Sequence, residues 1–136
     1  MATIRSATPA DIPAVLSLWR EAGAEPSHTD DPEGLGQLIE FGPASLIVAV
    51  SEGRVVGSVI AGWDGWRGSV YRLAVAPDLR RAGLGRLLVG EAEARLAEAG
   101  ARRLQAIVVA SDGQARQFWR GTDWNEQLER VRFVKG

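Results

Sequence analysis

The sequence predicts an α/β layered domain built on a mixed, mostly antiparallel sheet. Two observations predict it. Three short runs rich in β-branched residues, SLIVAVS, RVVGSVIAGW and SVYRLAVA, follow one another with only tight turns between them, the pattern of an antiparallel meander. Helical and extended patterns then alternate toward the C-terminus, which adds helical layers to the sheet. The full order reads β-α-α-β-β-β-α-β-α-β over a single domain of residues 1–136, without internal repeats.

Each element has its own signal. Residues 3–7 read as a short first strand. Thr8 is placed as an N-cap, with Pro9 at the first helical position and Asp11 at the third. Ile12, Val15, Leu16 and Trp19 share one helical face, and that helix ends near Gly23. After the polar loop AEPSHTDD, Asp31-Pro32 repeats the start signal. Leu35, Leu38 and Ile39 give a second helix, stopped at Gly42-Pro43. Glu52-Gly53 is a hairpin turn between the first two strand runs, and DGWRG joins the second to the third. Leu84, Leu87, Leu88, Ala92 and Leu96 mark a longer helix closed by Gly100, with Glu91 and Arg95 paired four apart. RLQAIVVA reads as a strand. Ser111 and Gln114 form a capping box for a helix carrying Ala115, Phe118 and Trp119. LERVRFVK reads as a final strand.

Composition narrows the function. The 136 residues are 46% hydrophobic, enough to fill one core. Sixteen Lys+Arg face seventeen Asp+Glu, so nucleic-acid binding by bulk charge is not expected, although a local basic patch stays open. The chain has no cysteine, which excludes thiol nucleophiles, disulfides and thiolate-bound metals; no metal is expected. No apolar run approaches the about 18 residues that a membrane span needs. With no signal core in MATIRSATPADI, the expectation is a soluble cytoplasmic protein.

One stretch asks for a ligand. PDLRRAGLGRLL joins the third strand run to the long helix. The first N–H groups of a helix have no intrahelical partner, and the peptide dipoles leave partial positive charge there. Glycines let the backbone approach an anion closely. Arg80, Arg81 and Arg86 add full positive charge at the end of a helix where cations are unfavourable, unless an anion sits among them. The dinucleotide fingerprint is ruled out because Leu88 stands where its third glycine belongs, and the P-loop lysine is absent.

The spacing Arg80-x-x-Gly83-x-Gly85, after a strand ending Val75-Ala76-Pro77, resembles the pyrophosphate-binding motif of the GNAT family of N-acetyltransferases, written Arg/Gln-x-x-Gly-x-Gly/Ala. The element order is similar along nearly the whole chain, beginning with IRSATPADIPAVLSLW. The stretch VVGSVIAGWDGWRGSVYRLAVAPDLRRAGLG resembles the bacterial YpeA-type subgroup. What the resemblance implies is a GNAT-like central sheet with helices on both faces and acetyl-CoA as cosubstrate. The implied reaction is direct transfer of acetyl to a primary amine, on a small molecule, a peptide N-terminus or a lysine. It further implies that main-chain groups of Leu73, Ala74 and Val75 hold the pantetheine arm, in a gap where this strand splays from the next. The Val75 amide would face the thioester oxygen, and Arg80, Arg81, Ala82, Gly83, Leu84, Gly85 and Arg86 would hold the pyrophosphate. An acyl-CoA-binding sensor without turnover is the alternative.

Departures from the family pattern concern proton transfer. Trp119 in the run Ala115-Arg116-Gln117-Phe118-Trp119 occupies the position of the family's tyrosine acid; its indole can hydrogen-bond to the sulfur but is too weak an acid to protonate it. Packing in the core is the competing reading of Trp119. Asp112 stands where an asparagine often contacts the pantetheine arm. Strand alternation puts Tyr71, Leu73 and Val75 on one face, so Tyr71 reads either as a site residue or as a cross-strand aromatic. His28 is the sole histidine and reads as a surface-loop residue, with a general base as the alternative. Asp30, Asp31 and Glu33 offer carboxylates to an ammonium group in the loop that, by the resemblance, lines the acceptor side; Asp31 has a capping role, which leaves Glu33 for it. Trp63 and Trp66 around one turn suggest an acceptor-side surface or a homodimer contact.

Overall fold

The computed structural model describes residues 2–136. Its strands are β1 (Thr3–Ser6), β2 (Leu46–Ser51), β3 (Arg54–Trp63), β4 (Gly68–Val75) and β5 (Leu104–Ala106). Its helices are α1 (Ile12–Glu21), α2 (Pro32–Phe41), α3 (Leu84–Ala99) and α4 (Gly113–Arg120). The strands lie in one sheet in the order β1-β2-β3-β4-β5. Neighbours from β1 to β4 are antiparallel and β5 runs parallel to β4, so the sheet is mixed and mostly antiparallel.

Neighbouring residues of β3 show both covered faces. A Cβ on Gly57 would stand 2.8 Å from Leu88 Cδ1 of α3, whereas the Ser58 hydroxyl accepts the indole N–H of Trp19, on α1, at 2.8 Å. Because both faces are packed, β2 and the middle of β3 run apolar without alternation, and Ile47, Val48 and Val59 have no exposed surface.

Local chemistry sets the connections. The Asp11 carboxylate accepts the Thr8 N–H at 2.8 Å and both terminal nitrogens of Arg5 at 2.8 and 3.0 Å. This guanidinium, with the Thr8 amide, holds the Asp11 carboxyl at about 2. Pro9–Asp11 forms a 3-10 turn that leads into α1. Glu52 and Gly53 take φ of 51° and 74°, the left-handed pair that a two-residue hairpin requires. Gly100 closes α3 at φ 114°.

Contact density divides the chain into two compact units, Met1–Ala106 and Ile107–Gly136. Three expectations for the C-terminal region need correction. RLQAIVVA contributes only Leu104–Ala106 as strand. The cap of α4 is Asp112, whose carboxylate accepts the Ala115 N–H at 3.0 Å, in place of a Ser111–Gln114 box; the carboxylate starts the helix one residue later. LERVRFVK is not a strand, and Val131 and Phe133 are 80% and 93% exposed. Alternation supplies a face, but a strand also needs a ladder partner.

Candidate functional site

Strand β4 carries an irregularity where the sequence reading assumed none. Its pairing with β3 shifts between Ser58–Ala74 and Ile60–Tyr71, two residues against three. The extra residue is a bulge, and Arg72 occupies it at φ 52°. Bulging reverses the phase of the strand. Tyr71 pairs with Ile60 and Val75 with Gly57, which lie on opposite faces of β3. Tyr71 and Val75 therefore do not share a face, as simple alternation had placed them. Tyr71 is half-exposed, its ring 3.1 Å from where a Gly62 Cβ would stand.

Three residues hold this bulge, Trp19, Asp30 and Ser58, of which only Asp30 was weighed for the acceptor side. Ser58, the one fully buried polar side chain among the described residues, accepts from the Trp19 indole and donates to the Arg72 carbonyl at 3.2 Å. The Arg72 guanidinium lies 5.4 Å from the Trp19 ring centroid and pairs with Asp30, in the loop between α1 and α2. A serine inside VVGSVIAG and a lone arginine inside SVYRLAV were the available signals, each polar within an apolar run. Asp30 also accepts the Ser27 N–H at 3.0 Å, and Asp31 caps α2 through the Gly34 N–H at 2.7 Å. Glu33, in the first turn of α2, and His28 are exposed.

Beyond the bulge the main chain turns one amide outward. The Ala76 N–H bonds to the Val56 carbonyl of β3 at 2.8 Å. Strand N–H groups alternate in direction, so the Val75 N–H points away from β3. The ladder between β4 and β5 covers only Gly68–Val70 and Leu104–Ala106, and Val75 lies beyond it. Leu73 and Val75 are half-buried and Ala74 is buried.

The turn that follows is held at its ends. Arg54 grips Asp78 at 3.0 and 3.2 Å, which lowers the Asp78 carboxyl below its usual range. Arg80 donates to the Ala22 carbonyl, at the end of α1, at 2.9 Å. Arg81 and Gly83 are both left-handed, at φ 68° and 82°. Gly83 is the N-cap of α3 and brings no side-chain cap, and the first turn holds no acidic residue. The N–H groups of Leu84, Gly85 and Arg86 thus precede the first helical bond, Leu87 to Gly83 at 3.2 Å. Ala82 and Arg86 are exposed, Gly85 is half-buried and Leu84 is buried.

Trp119 belongs to the second unit. It is half-buried, meeting Phe118 and Trp124 edge-on at centroid distances of 5.5 and 4.8 Å. Glu126 accepts from Arg116 at 2.8 Å and from Arg120 at 2.7 Å, and the two guanidiniums hold its carboxyl at about 2.

Known proteins share this fold. The profile described as the acetyltransferase (GNAT) family matches residues 12–122. An acetyltransferase of Yersinia enterocolitica is 33% identical over 112 residues, 82% of this chain and 79% of that protein. The ribosomal-protein alanine N-acetyltransferase of Escherichia coli superposes with a TM-score of 0.77 at 25% identity, covering 93% of this chain and 79% of that one. The PaiA N-acetyltransferase of Thermoplasma acidophilum, solved with coenzyme A, gives 0.76 at 15% identity over 88% and 87%. On the strength of the profile and the sequence relatives, with the fold in agreement, the chain belongs to the acetyltransferase (GNAT) family.

Proposed function

We propose that this acetyltransferase moves the acetyl group of acetyl-CoA directly to a primary amine. The observation that carries the reading is the outward Val75 amide, on the strand that leads into the uncapped start of α3. Acetyl-CoA, when bound, supplies an activated acetyl thioester. The amides of Leu84, Gly85 and Arg86 and the arginines of the turn bind its pyrophosphate, where the helix dipole and full charges act together. Leu73 and Val75 offer main-chain groups to the pantetheine arm. The Val75 N–H donates to the thioester oxygen, and this bond strengthens as that oxygen gains charge. The amine nitrogen forms the new C–N bond as the C–S bond breaks; the amine proton leaves to water, and a proton is returned to the thiolate. Positioning of two substrates supplies most of the rate, and no residue of the chain is acylated.

The acceptor enters beside Asp30 and Glu33, where the loop between α1 and α2 meets the bulge. A peptide N-terminus is supported by the ribosomal-protein alanine acetyltransferase among the structural neighbours. The stretch from Val55 to Gly85 supports a place near the YpeA-type subgroup.

Thiol release from acetyl-CoA across small amines, peptides with free N-termini and lysine peptides tests the reading. Turnover on one class is expected. Coenzyme A binding without turnover on any class would replace it with the sensor reading, and absence of binding would remove both.

A further inference from the structure

A second cluster of cations lies at the opposite end of β4 from the turn of Arg80–Arg86. The strand runs from Gly68 to Val75, so at about 3.3 Å per residue the two regions are roughly 23 Å apart. Trp66, Arg67, Arg102 and Arg103 line a cleft of about 230 Å³ there. Trp66 and Arg67 come from the β3–β4 turn, and Arg102 and Arg103 from the loop between α3 and β5.

The cleft is built on fixed backbone. The Gly68 N–H donates to the Arg103 carbonyl at 3.0 Å. A Cβ on Gly68 would stand 2.6 Å from Leu104 Cδ2 and 2.9 Å from Leu96 Cδ1, so a larger residue there would have to push these two side chains aside. The Asp64 carboxylate accepts the Trp66 and Arg67 amides at 2.8 and 2.7 Å and shapes the turn from within. That occupation draws the Asp64 carboxyl below its usual range.

Arg67, Arg102 and Arg103 form no ion pair among the described residues. Trp66 is 68% exposed, with the Arg67 guanidinium 4.1 Å from its ring centroid. Three guanidiniums call for an anion rich in acceptor oxygens, and an exposed indole calls for a flat ring. The cleft lies below the roughly 300 Å³ at which drug-sized pockets begin. It suits one ring and one phosphate better than an extended acidic peptide. The near-zero net charge of the chain conceals this patch, because acidic residues elsewhere balance it.

We propose that Trp66, Arg67, Arg102 and Arg103 form a second ligand site, which takes a nucleoside monophosphate, free or as one unit of single-stranded RNA. The base stacks on the indole and the phosphate lies among the guanidiniums.

The test uses the full chain saturated with desulfo-coenzyme A, so that the turn before α3 does not contribute. AMP is titrated calorimetrically, and a fluorescein-labelled oligo(A) of about eight nucleotides by anisotropy. Binding by AMP is expected, weakened at least tenfold in R102E/R103E and in W66A. Ribose 5-phosphate should bind W66A and the unchanged chain alike. Oligo(A) affinity tenfold above that of AMP assigns the strand-borne source, and equal affinity the free nucleotide. The four residues are exposed, and circular dichroism verifies that the variants fold; should R102E/R103E fail to fold, R67A and W66A carry the same test. Absence of binding by both probes, affinities unchanged by the substitutions, or tighter binding of an oligoglutamate peptide would overturn the assignment.

Discussion

The hydroxyl of Ser58 holds the carbonyl of Arg72 at 3.2 Å, inside the sheet and at the residue that bends β4. The same hydroxyl receives the Trp19 indole N–H, so one buried oxygen ties α1, β3 and the bulge together. Replacing Ser58 by alanine strands a donor and an acceptor. Each unsatisfied buried group costs about 1–3 kcal/mol. S58A should lose stability on the order of 2 kcal/mol by denaturant titration and lower kcat for acetyl transfer, since the Val75 amide lies three residues beyond. Unchanged stability would show that water replaces the hydroxyl.

Arg72 is held from the other side by Asp30. In D30N the neutral amide keeps the shape and removes the charge. The guanidinium is then held less firmly, and the acceptor loop with it. The acceptor KM should rise severalfold while the Kd for desulfo-coenzyme A stays constant. Equal changes in both would place Asp30 in the fold rather than at the acceptor.

Gly83 adopts φ 82°, and no atom lies within 4 Å of a Cβ built there. A side chain meets backbone strain alone, about 1–2 kcal/mol for left-handed geometry. The fold of G83V should therefore survive. Its branched side chain stands at the uncapped start of α3, so calorimetry should show desulfo-coenzyme A affinity reduced at least tenfold. Unchanged affinity would place the pyrophosphate elsewhere.

Asp11 gives the pH response a sign. Its folded carboxyl sits at about 2, below its usual range near 4. The unfolded chain therefore takes up this proton first as pH falls. The Asp11 contribution is complete above the unfolded value and is lost between about 4 and about 2. Melting curves of the unchanged chain and D11N should be well separated at pH 6 and converge toward pH 2. A constant separation would assign the effect to shape alone.

Much of the fold is legible in local sequence. Glu52-Gly53 fixes a hairpin because both positions accept left-handed geometry, and Asp31-Pro32 starts a helix by capping chemistry. The glycine-arginine turn is legible for the same reason, since its chemistry lies within a few adjacent residues. The bulge is not. Alternation through Tyr71, Leu73 and Val75 is a regular pattern, and the residue that breaks it is an arginine rather than the glycine usual at positive φ. Its holders, Trp19, Asp30 and Ser58, are scattered along the chain and meet only on folding. LERVRFVK misleads because its alternation has no partner in the ladder.

The order of the sheet bears on how the chain reaches it. Strands β2, β3 and β4 meet through short turns, whereas β1 reaches β2 only across both N-terminal helices and β5 returns to β4 only across α3. Closing such long spans carries an entropic barrier that hairpins avoid. The meander thus offers an early nucleus and the two margins dock onto it afterwards, so the folding rate should depend more on Val59 than on Leu104.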